Sequence, residues 1–588
     1  MPARSEEDKP CLVETRQGLS VLYKNRYLYS KYNPAVGIER LVESLEIREA
    51  TLVLCFSPVL GYGLQQLAAK MPQNAFMLVV EVDPQLMEFY DTAAIPAQAG
   101  FFSAQQLEDL YKILTRKNQV AENGVRIPPP GSFKYCVRVD FSGSPALHQA
   151  EYQAIHQTAE LAVANFWKNR LTLIKMGRLY HRNMLRNLAL LPWGKDIPAA
   201  KVDRPILVLG AGPSADDTIQ QLERLSLDQR KNLCLLAVDA AVPALLARKL
   251  KPDLVLALEC QHTIQQAYTT AREQQLFLLA DLTSRPSILH EDTGFRAATG
   301  NNGGAEGTQE ASEQNCTGGM TAFFSTEFAP TTFLERLHRL GLVNQLLPPL
   351  GSVGLAALEM AILLRKSGEI PVFVSGLDFS YGLGRTHCKE SFQTRGNLMR
   401  CSRLSPPGSY ESLSNPTTEK REGKTGPVYS DQILTHYAQI FMNRFQGTAK
   451  LFDLGNSGLD LGLPQLNFAT AWEKLVPQKE QNQQASLGCC TAAPLQLATE
   501  DKRNRRKQVE EFYCQEEAML KELRDGLSQG GISKERIRVI LEEADYLYLH
   551  FPDGYKPSLD TSFLKRVRSE IDFFLKDIAI GKRIVARK

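Results

Sequence analysis

The 588-residue sequence contains no apolar run long enough to cross a bilayer. Its longest apolar stretches are about 6–10 residues and are broken by charge, whereas a spanning helix needs roughly 20. The opening residues Met1-Pro2-Ala3-Arg4-Ser5-Glu6-Glu7-Asp8 are acidic and polar. They lack the basic start, apolar core and cleavage site of a secretory signal, so the expected location is the cytoplasm, without membrane insertion. A large charge excess is missing too. Lys plus Arg number 68 against 65 Asp plus Glu, a formal +3. Such a balance gives no basic stripe for a phosphate backbone, and nucleic-acid binding is not expected. The 11 cysteines include no C-x-x-C pair, and Cys489 and Cys490 are adjacent. That spacing suits neither a metal cage nor an ordinary disulfide, so reduced structural thiols and no metal site are expected. No internal repeat is visible.

What is present is ordinary globular composition, 43% apolar and 23% charged, over a length that exceeds one hydrophobic core. The expected organisation is α/β and multidomain. A smaller N-terminal α/β domain with a long helix occupies 1–195, a central domain 200–477, a polar linker 478–500 and a helical region 501–588. Residues 51–56 and 76–82 are apolar runs of strand length around a helical 64–70, which makes one strand–helix–strand unit ending near Glu81. A long amphipathic helix is predicted over 146–191, stopped by Pro192-Trp193-Gly194.

In the central region, strands are predicted at 205–209, 233–238, 253–258, 276–280, 371–375 and 450–453, separated by helix-length segments. Alternation of this kind argues for a doubly wound, mainly parallel sheet covered on both faces. Two segments interrupt it. Residues 299–321 are rich in Gly, Asn, Thr and Gln, and 402–427 in Ser, Pro, Gly and charge. Both are expected to be surface loops. The last helix, with Phe563, Val567, Ile571, Phe574 and Ile578 on one face, is amphipathic.

The most informative segment is Ile206-Leu207-Val208-Leu209-Gly210-Ala211-Gly212-Pro213-Ser214 followed by Ala215-Asp216-Asp217. A buried strand ends in two glycines and opens a helix. Gly210 and Gly212 permit a tight turn and close ligand approach. Pro213 suits the first turn. Ser214 with Asp217 three residues on resembles a capping box. The expected product is a helix start with free N–H groups aimed at an anion, such as a diphosphate or nucleoside monophosphate. Asp239 and Glu259 fall at the ends of the next two strands, on the edge where open α/β sheets bind ligands.

These three segments resemble the central domain shared by motility accessory factor (Maf) flagellin glycosyltransferases and MptE-like pterin pyrophosphokinases. The helix at Gly351-Ser352-Val353-Gly354 and the element Gly376-Leu377-Asp378-Phe379-Ser380-Tyr381, followed by Thr386-His387, are similar to the family's pattern. The same order occurs in bacterial lipooligosaccharide sialyltransferases, where a late strand is followed by Asn-Ser; here Asn456-Ser457. Together these motifs cover about 204–465. Tyr29-Ser30-Lys31-Tyr32-Asn33-Pro34 looks like the Maf N-terminal signature and favours that branch. The 51–83 unit also resembles the first turn of a methyltransferase, with Glu81 as the ribose acid, but Pro58 departs from that pattern and a structural role is preferred.

The resemblance implies a sialyltransferase-like, Rossmann-type central domain. It also implies an inverting transferase that uses a CMP-activated nonulosonic acid of pseudaminic or legionaminic type as donor. The acceptor would be Ser or Thr of flagellin, in a reaction required for flagellar assembly and motility, with no tightly bound cofactor. In that scheme Gly210, Gly212, Pro213 and Ser214 meet the leaving phosphate. Asp239 and Glu259 hold ribose or base hydroxyls, and Ser352, Gly376, Asp378 and Asn456 complete the nucleotide site. Tyr381 lies near the first of two tyrosines that aid the leaving phosphate, and His387 near the second. The base is open among His387, Asp431 and none. His436, within a helix, is read as structural. Two alternatives stand: a pterin pyrophosphokinase using ATP and Mg²⁺ on Asp239, Asp378 or Glu259, and a non-enzymatic flagellin chaperone binding through the C-terminal helices.

Overall fold

The computed structural model describes residues 9–90, 94–97, 99–115, 127–268, 276–289, 321–328, 331–405, 415–477 and 499–587. The loop expected at 299–321 lies outside these residues up to 320, as do Cys489, Cys490 and most of the 478–500 linker. The chain forms two compact units, Met1–Leu173 and Ile174–Lys588. The helix Gln149–Asn187 spans the division and passes into a 3₁₀ turn, Leu188–Trp193, that carries Pro192.

Unit 1 holds an antiparallel meander of β1 (Cys11–Thr15), β2 (Gly18–Tyr23) and β3 (Arg26–Tyr27). It also holds a parallel sheet of β4 (Thr51–Phe56), β5 (Phe76–Val80), β6 (Gly100–Phe102) and β7 (Tyr135–Asp140) in the order β6-β5-β4-β7. All six residues of β4 are buried because both faces are covered. Leu52, Leu54 and Phe56 pack with Tyr152, Ile155 and Ala159 of the long helix, while Val53 and Cys55 pack with Leu64 and Leu67 on the other face. Sequence reading found the β4–helix–β5 unit and missed the meander and β7. Glu81 is fully buried and accepts hydrogen bonds from Ser57 Oγ (2.6 Å), Tyr152 OH (2.9 Å), Asp83 N (2.9 Å) and Tyr90 OH (3.2 Å). Its carboxylate therefore ties four donors of the unit together.

Unit 2 is built on an eight-stranded parallel sheet. Its strands are β8 (Ile206–Leu209), β9 (Cys234–Val238), β10 (Leu254–Ala257), β11 (Leu278–Asp281), β12 (Thr321–Thr326), β13 (Leu346–Leu347), β14 (Val372–Ser375) and β17 (Leu451–Asp453). The order is β13-β12-β11-β10-β9-β8-β14-β17. The chain winds outward from β8 to β13 and then returns to place β14 on the other side of β8, which makes this a doubly wound sheet. A separate hairpin, β15 (Glu419–Gly423) and β16 (Gly426–Ser430), overlaps the end of the segment expected to be a loop at 402–427.

At β10 and β11 the side chains sort by alternation. Leu256 and Leu279 pack in one cluster with Leu355, Leu358 and Ala361 of the Val353–Leu364 helix. Val255, Ala257, Leu278 and Ala280 pack in another with Phe512, Ile540, Ile571, Phe574 and Ile578 of the C-terminal helices Thr499–Gln529, Lys534–Glu543 and Thr561–Arg587. The apolar stripes of those helices are thus buried inside unit 2. Ion pairs fix the register: Arg178 meets Glu570 at 2.8 Å and Arg186 meets Asp577 at 2.6 Å. Asp545 caps the Thr332–Arg339 helix at the Thr332 amide, 2.7 Å away. No helix among the described residues is long and apolar enough to cross a membrane.

Candidate functional site

The reversal of winding falls between β8 and β14, whose pairing sets Val372 beside Ile206 and Ser375 beside Leu209. Loops leaving adjacent strands at such a switch point diverge and ordinarily leave a ligand crevice outside the carboxyl ends. Here the first layer of that space is filled by the chain itself. Gly210 N donates to Ser375 O and Gly212 N to Gly376 O, both at 2.8 Å. Ser214 N donates to Asp378 Oδ2 at 2.8 Å, and Gly376 N donates to Ser214 Oγ at 3.0 Å. A Cβ on Gly210 would strike the Gly376 carbonyl, and one on Gly212 would strike Asp378 Oδ2.

Two expectations are corrected by this geometry. The amides of Gly210, Gly212 and Ser214 are not free for an anion; a carboxylate from the chain, Asp378, already sits at the helix start. The glycines are required because two loops pack backbone to backbone, with Gly376 at φ +72°. The capping box is also absent. Ser214 has helical φ and ψ of −67° and −17° and makes no side-chain cap bond. Its hydroxyl is turned to Gly376, while Asp217 bonds Asn456 instead. Asp216 receives the Lys389 amide at 3.0 Å and pairs with Arg385, which also reaches the Pro213 carbonyl at 3.1 Å.

Asp378 is only 3% exposed. Burial pushes its pKa up to about 6, against the pull of the Ser214 amide and Lys424, with Asp453 adding to the rise. Lys424 escaped sequence reading. It projects from the tip of the β15–β16 hairpin and bonds Asp453 Oδ2 at 2.5 Å and the Gly455 carbonyl at 3.1 Å. Nothing local flags it, because its partner lies 29 residues further along the chain.

The structure therefore brings Gly210, Gly212, Pro213, Ser214, Gly376, Asp378 and Asn456 to one edge. Tyr381 and His387 follow β14 on the same edge. Tyr381 pairs backbone to backbone with Tyr429, and its hydroxyl lies 3.2 Å from Thr418 Oγ1. His387 Nδ1 lies 3.0 Å from Thr386 Oγ1, and burial holds its pKa below the usual value, which keeps the ring neutral. Its neighbour Cys388 donates its amide to the Ala211 carbonyl at 2.8 Å, tying the segment to the glycine turn. Asp431 serves as the N-cap of the Gln432–Phe445 helix, accepting from Leu434 N at 2.8 Å.

Asp239 and Glu259 stand at the ends of β9 and β10, one strand and two strands from β8. Asp239 is 2% exposed. Its Oδ1 accepts the Ala240 amide at 2.7 Å, while Oδ2 has no hydrogen-bond partner among the described residues. Burial, with the Glu259 charge adding to it, pushes its pKa up to about 7 against the pull of the Ala240, Leu258 and Glu259 amides. Glu259 accepts the Gln261 amide at 2.9 Å. Ser352 is the N-cap of the Val353–Leu364 helix, in extended conformation and without a side-chain cap bond. That helix start adjoins the switch point through Leu377, whose Cδ2 lies 2.6 Å from where a Gly210 Cβ would stand.

These features define a doubly wound α/β protein whose candidate site is the edge assembled from loops after β8, β9, β10, β14 and β17. Residues 182–383 match the family model described as 6-hydroxymethylpterin diphosphokinase MptE-like. Over 579 residues the chain is 33% identical to a protein of Treponema pallidum (strain Nichols) described as an uncharacterized protein, covering 96% of this chain and 94% of that one. The chain belongs to the same family as that Treponema protein. Its structure is similar to that of the MAf glycosyltransferase from Magnetospirillum magneticum AMB-1, with a TM-score of 0.48 and 14% identity over 100% of this chain and 91% of the other.

Proposed function

We propose that this chain is a glycosyltransferase that moves a nonulosonic acid from a CMP-activated donor to a Ser or Thr hydroxyl of flagellin in the cytoplasm. The observation that carries the reading is convergence. Segments 210–214, 376–387 and 453–456, far apart in sequence, meet at the switch-point edge, and they are the segments in which the resemblance to Maf and sialyltransferase proteins resides.

In this reading the donor's phosphate is not received by the Gly210–Ser214 turn, whose Gly210 and Gly212 amides bond the Ser375 and Gly376 carbonyls and whose Ser214 amide bonds Asp378. It is received at the start of the Val353–Leu364 helix, where N–H groups lack a side-chain cap. Asp239 Oδ2 accepts a hydroxyl of the ribose. His387, neutral through burial, takes the proton of the acceptor hydroxyl as its oxygen bonds to the anomeric carbon. The bond from that carbon to the phosphate oxygen breaks, and its electron pair leaves on CMP, with the Tyr381 hydroxyl donating to the departing oxygen.

Incubation with CMP-pseudaminic acid and flagellin should add one sugar residue's mass to flagellin, and no transfer with any CMP-activated nonulosonic acid would remove the activity. Calorimetry locates the phosphate: Ser352→Glu should weaken CMP binding about tenfold or more by setting a carboxylate at the helix start. Unchanged affinity takes that helix out of the reading.

The match of 182–383 supports a second reading, a pterin diphosphokinase acting with Mg-ATP. Of the carboxylates named for Mg²⁺, Asp378 is engaged by the Ser214 amide, which leaves Asp239 and Glu259 to hold the ion beside the phosphates. ATP binding that vanishes with EDTA would favour the kinase; CMP binding that survives EDTA favours the transferase.

A further inference from the structure

The β15–β16 hairpin carries exposed Glu419, Lys420 and Arg421, and at its turn Lys424, whose side chain is only 4% exposed. The tip is seated on the turn after β17. Lys424 N donates to Gly458 O at 2.9 Å, Lys424 Nζ reaches Asp453 and the Gly455 carbonyl, and a Cβ on Gly423 would stand 2.8 Å from Gly458 O. That turn rests in its own right on Asp378: Leu459 N donates to Asp378 O at 3.0 Å, and Gly458 has no room for a Cβ against Asp378 Cα. At its other end the hairpin is stitched to the segment after β14. Tyr429 and Tyr381 exchange two backbone bonds at 2.9 Å, and Ser430 Oγ donates to Phe379 O at 2.9 Å. Thr418, just before β15, lies against the Tyr381 hydroxyl.

An isolated two-stranded hairpin is marginal in water, and this one has little apolar face of its own. Its order must come from its attachments. Of these the Lys424–Asp453 pair is the least replaceable, since removing either partner strands a charge in a dry site. We propose that Lys424 is a positioning residue: its ion pair with Asp453 clasps the hairpin to the switch-point edge, and the hairpin in turn fixes the Tyr381 segment over the site. The role of Tyr381 in transfer rests on the function proposed above; the clasp does not.

The test is amide hydrogen exchange on the full chain together with transfer kinetics. Lys424→Met should speed exchange at the Tyr381 and Tyr429 amides by about tenfold or more, with β8 and β9 amides unchanged. It should lower kcat by about tenfold while donor KM moves less than about threefold. Lys424→Arg, which keeps the charge, should restore protection and rate in part. Unchanged exchange at Tyr381 and Tyr429 overturns the clasp. Faster exchange with an unaltered kcat overturns the positioning of Tyr381. Should Lys424→Met fail to fold, Asp453→Asn, which leaves the lysine its Gly455 carbonyl, carries the same expectations. A wild-type chain that transfers no sugar defeats the transferase reading alone, because the exchange measurement still decides the clasp.

Discussion

Glu81 and Asp239 occupy equivalent places in two different sheets. Each stands just past the second strand of a strand–helix–strand unit, and each is buried beyond 95%. Glu81 has four donors converging on its carboxylate, three of them hydroxyls brought from Ser57, Tyr90 and Tyr152. Asp239 meets no side-chain donor: the Ala240 amide bonds Oδ1, the Leu258 and Glu259 amides lie close by, and its buried Oδ2 makes no full hydrogen bond. The same residue class in the same topological position is a keystone for three hydroxyls in one sheet and a buried carboxyl held by backbone amides in the other. Which donors reach the carboxylate, and not its place after a strand, separates the two settings.

Glu81→Ala should break the comparison most forcefully. It strands three hydroxyls and the Asp83 amide, and should cost about 3–5 kcal/mol in denaturant unfolding with nucleotide affinity untouched. A loss under about 1 kcal/mol would deny Glu81 its structural place. Gly210→Ala comes next. It drives a methyl into the Gly376 carbonyl and should cost about 1–3 kcal/mol whether or not nucleotide is present. A loss seen only with nucleotide bound would restore the glycine turn as a ligand cradle. Asp239→Asn should weaken CMP binding about tenfold, and equal affinity would take Asp239 out of the nucleotide site.

The smallest effect is the sharpest test. The Asp239 pKa is raised on folding to about 7. Its contribution is fully present below the unfolded value near 4 and is lost as pH climbs through about 7. Asn does not titrate. The melting temperature of Asp239→Asn relative to the wild type should therefore rise between pH 4 and pH 7, by about 2 °C or more, and level off above. A flat difference would mean that Asp239 is ionised and solvated in the folded chain.

Much of the sheet in unit 2 is legible in the sequence, because β8, β9, β10, β11, β14 and β17 are short apolar runs set between helix-length segments. β12 and β13 are not. Thr321–Thr326 begins at the end of a polar run, and Leu346–Leu347 is two residues long. The β15–β16 hairpin is hidden for a different reason: strands such as Glu419–Gly423 that bury almost nothing carry no alternating pattern to detect. The site is legible as a set of motifs and misread in detail. Gly210 and Gly212 are read as a tight turn and Ser214 as a capping box that does not form, and what approaches this turn is decided by β14 returning beside β8. No local pattern reveals that Asp378 will fill the helix start, or that Lys424 will meet Asp453.

The three C-terminal helices have a practical consequence for anyone dividing this chain. Their apolar stripes form one side of the interior whose other side is β10, β11 and the Thr332–Arg339 helix. Ending the polypeptide before Thr499 would not release a trimmed core from an appendage. It would bare a greasy sheet face and leave Arg178, Arg186 and Arg336 without their carboxylates. Such a fragment should come out of cells in inclusion bodies.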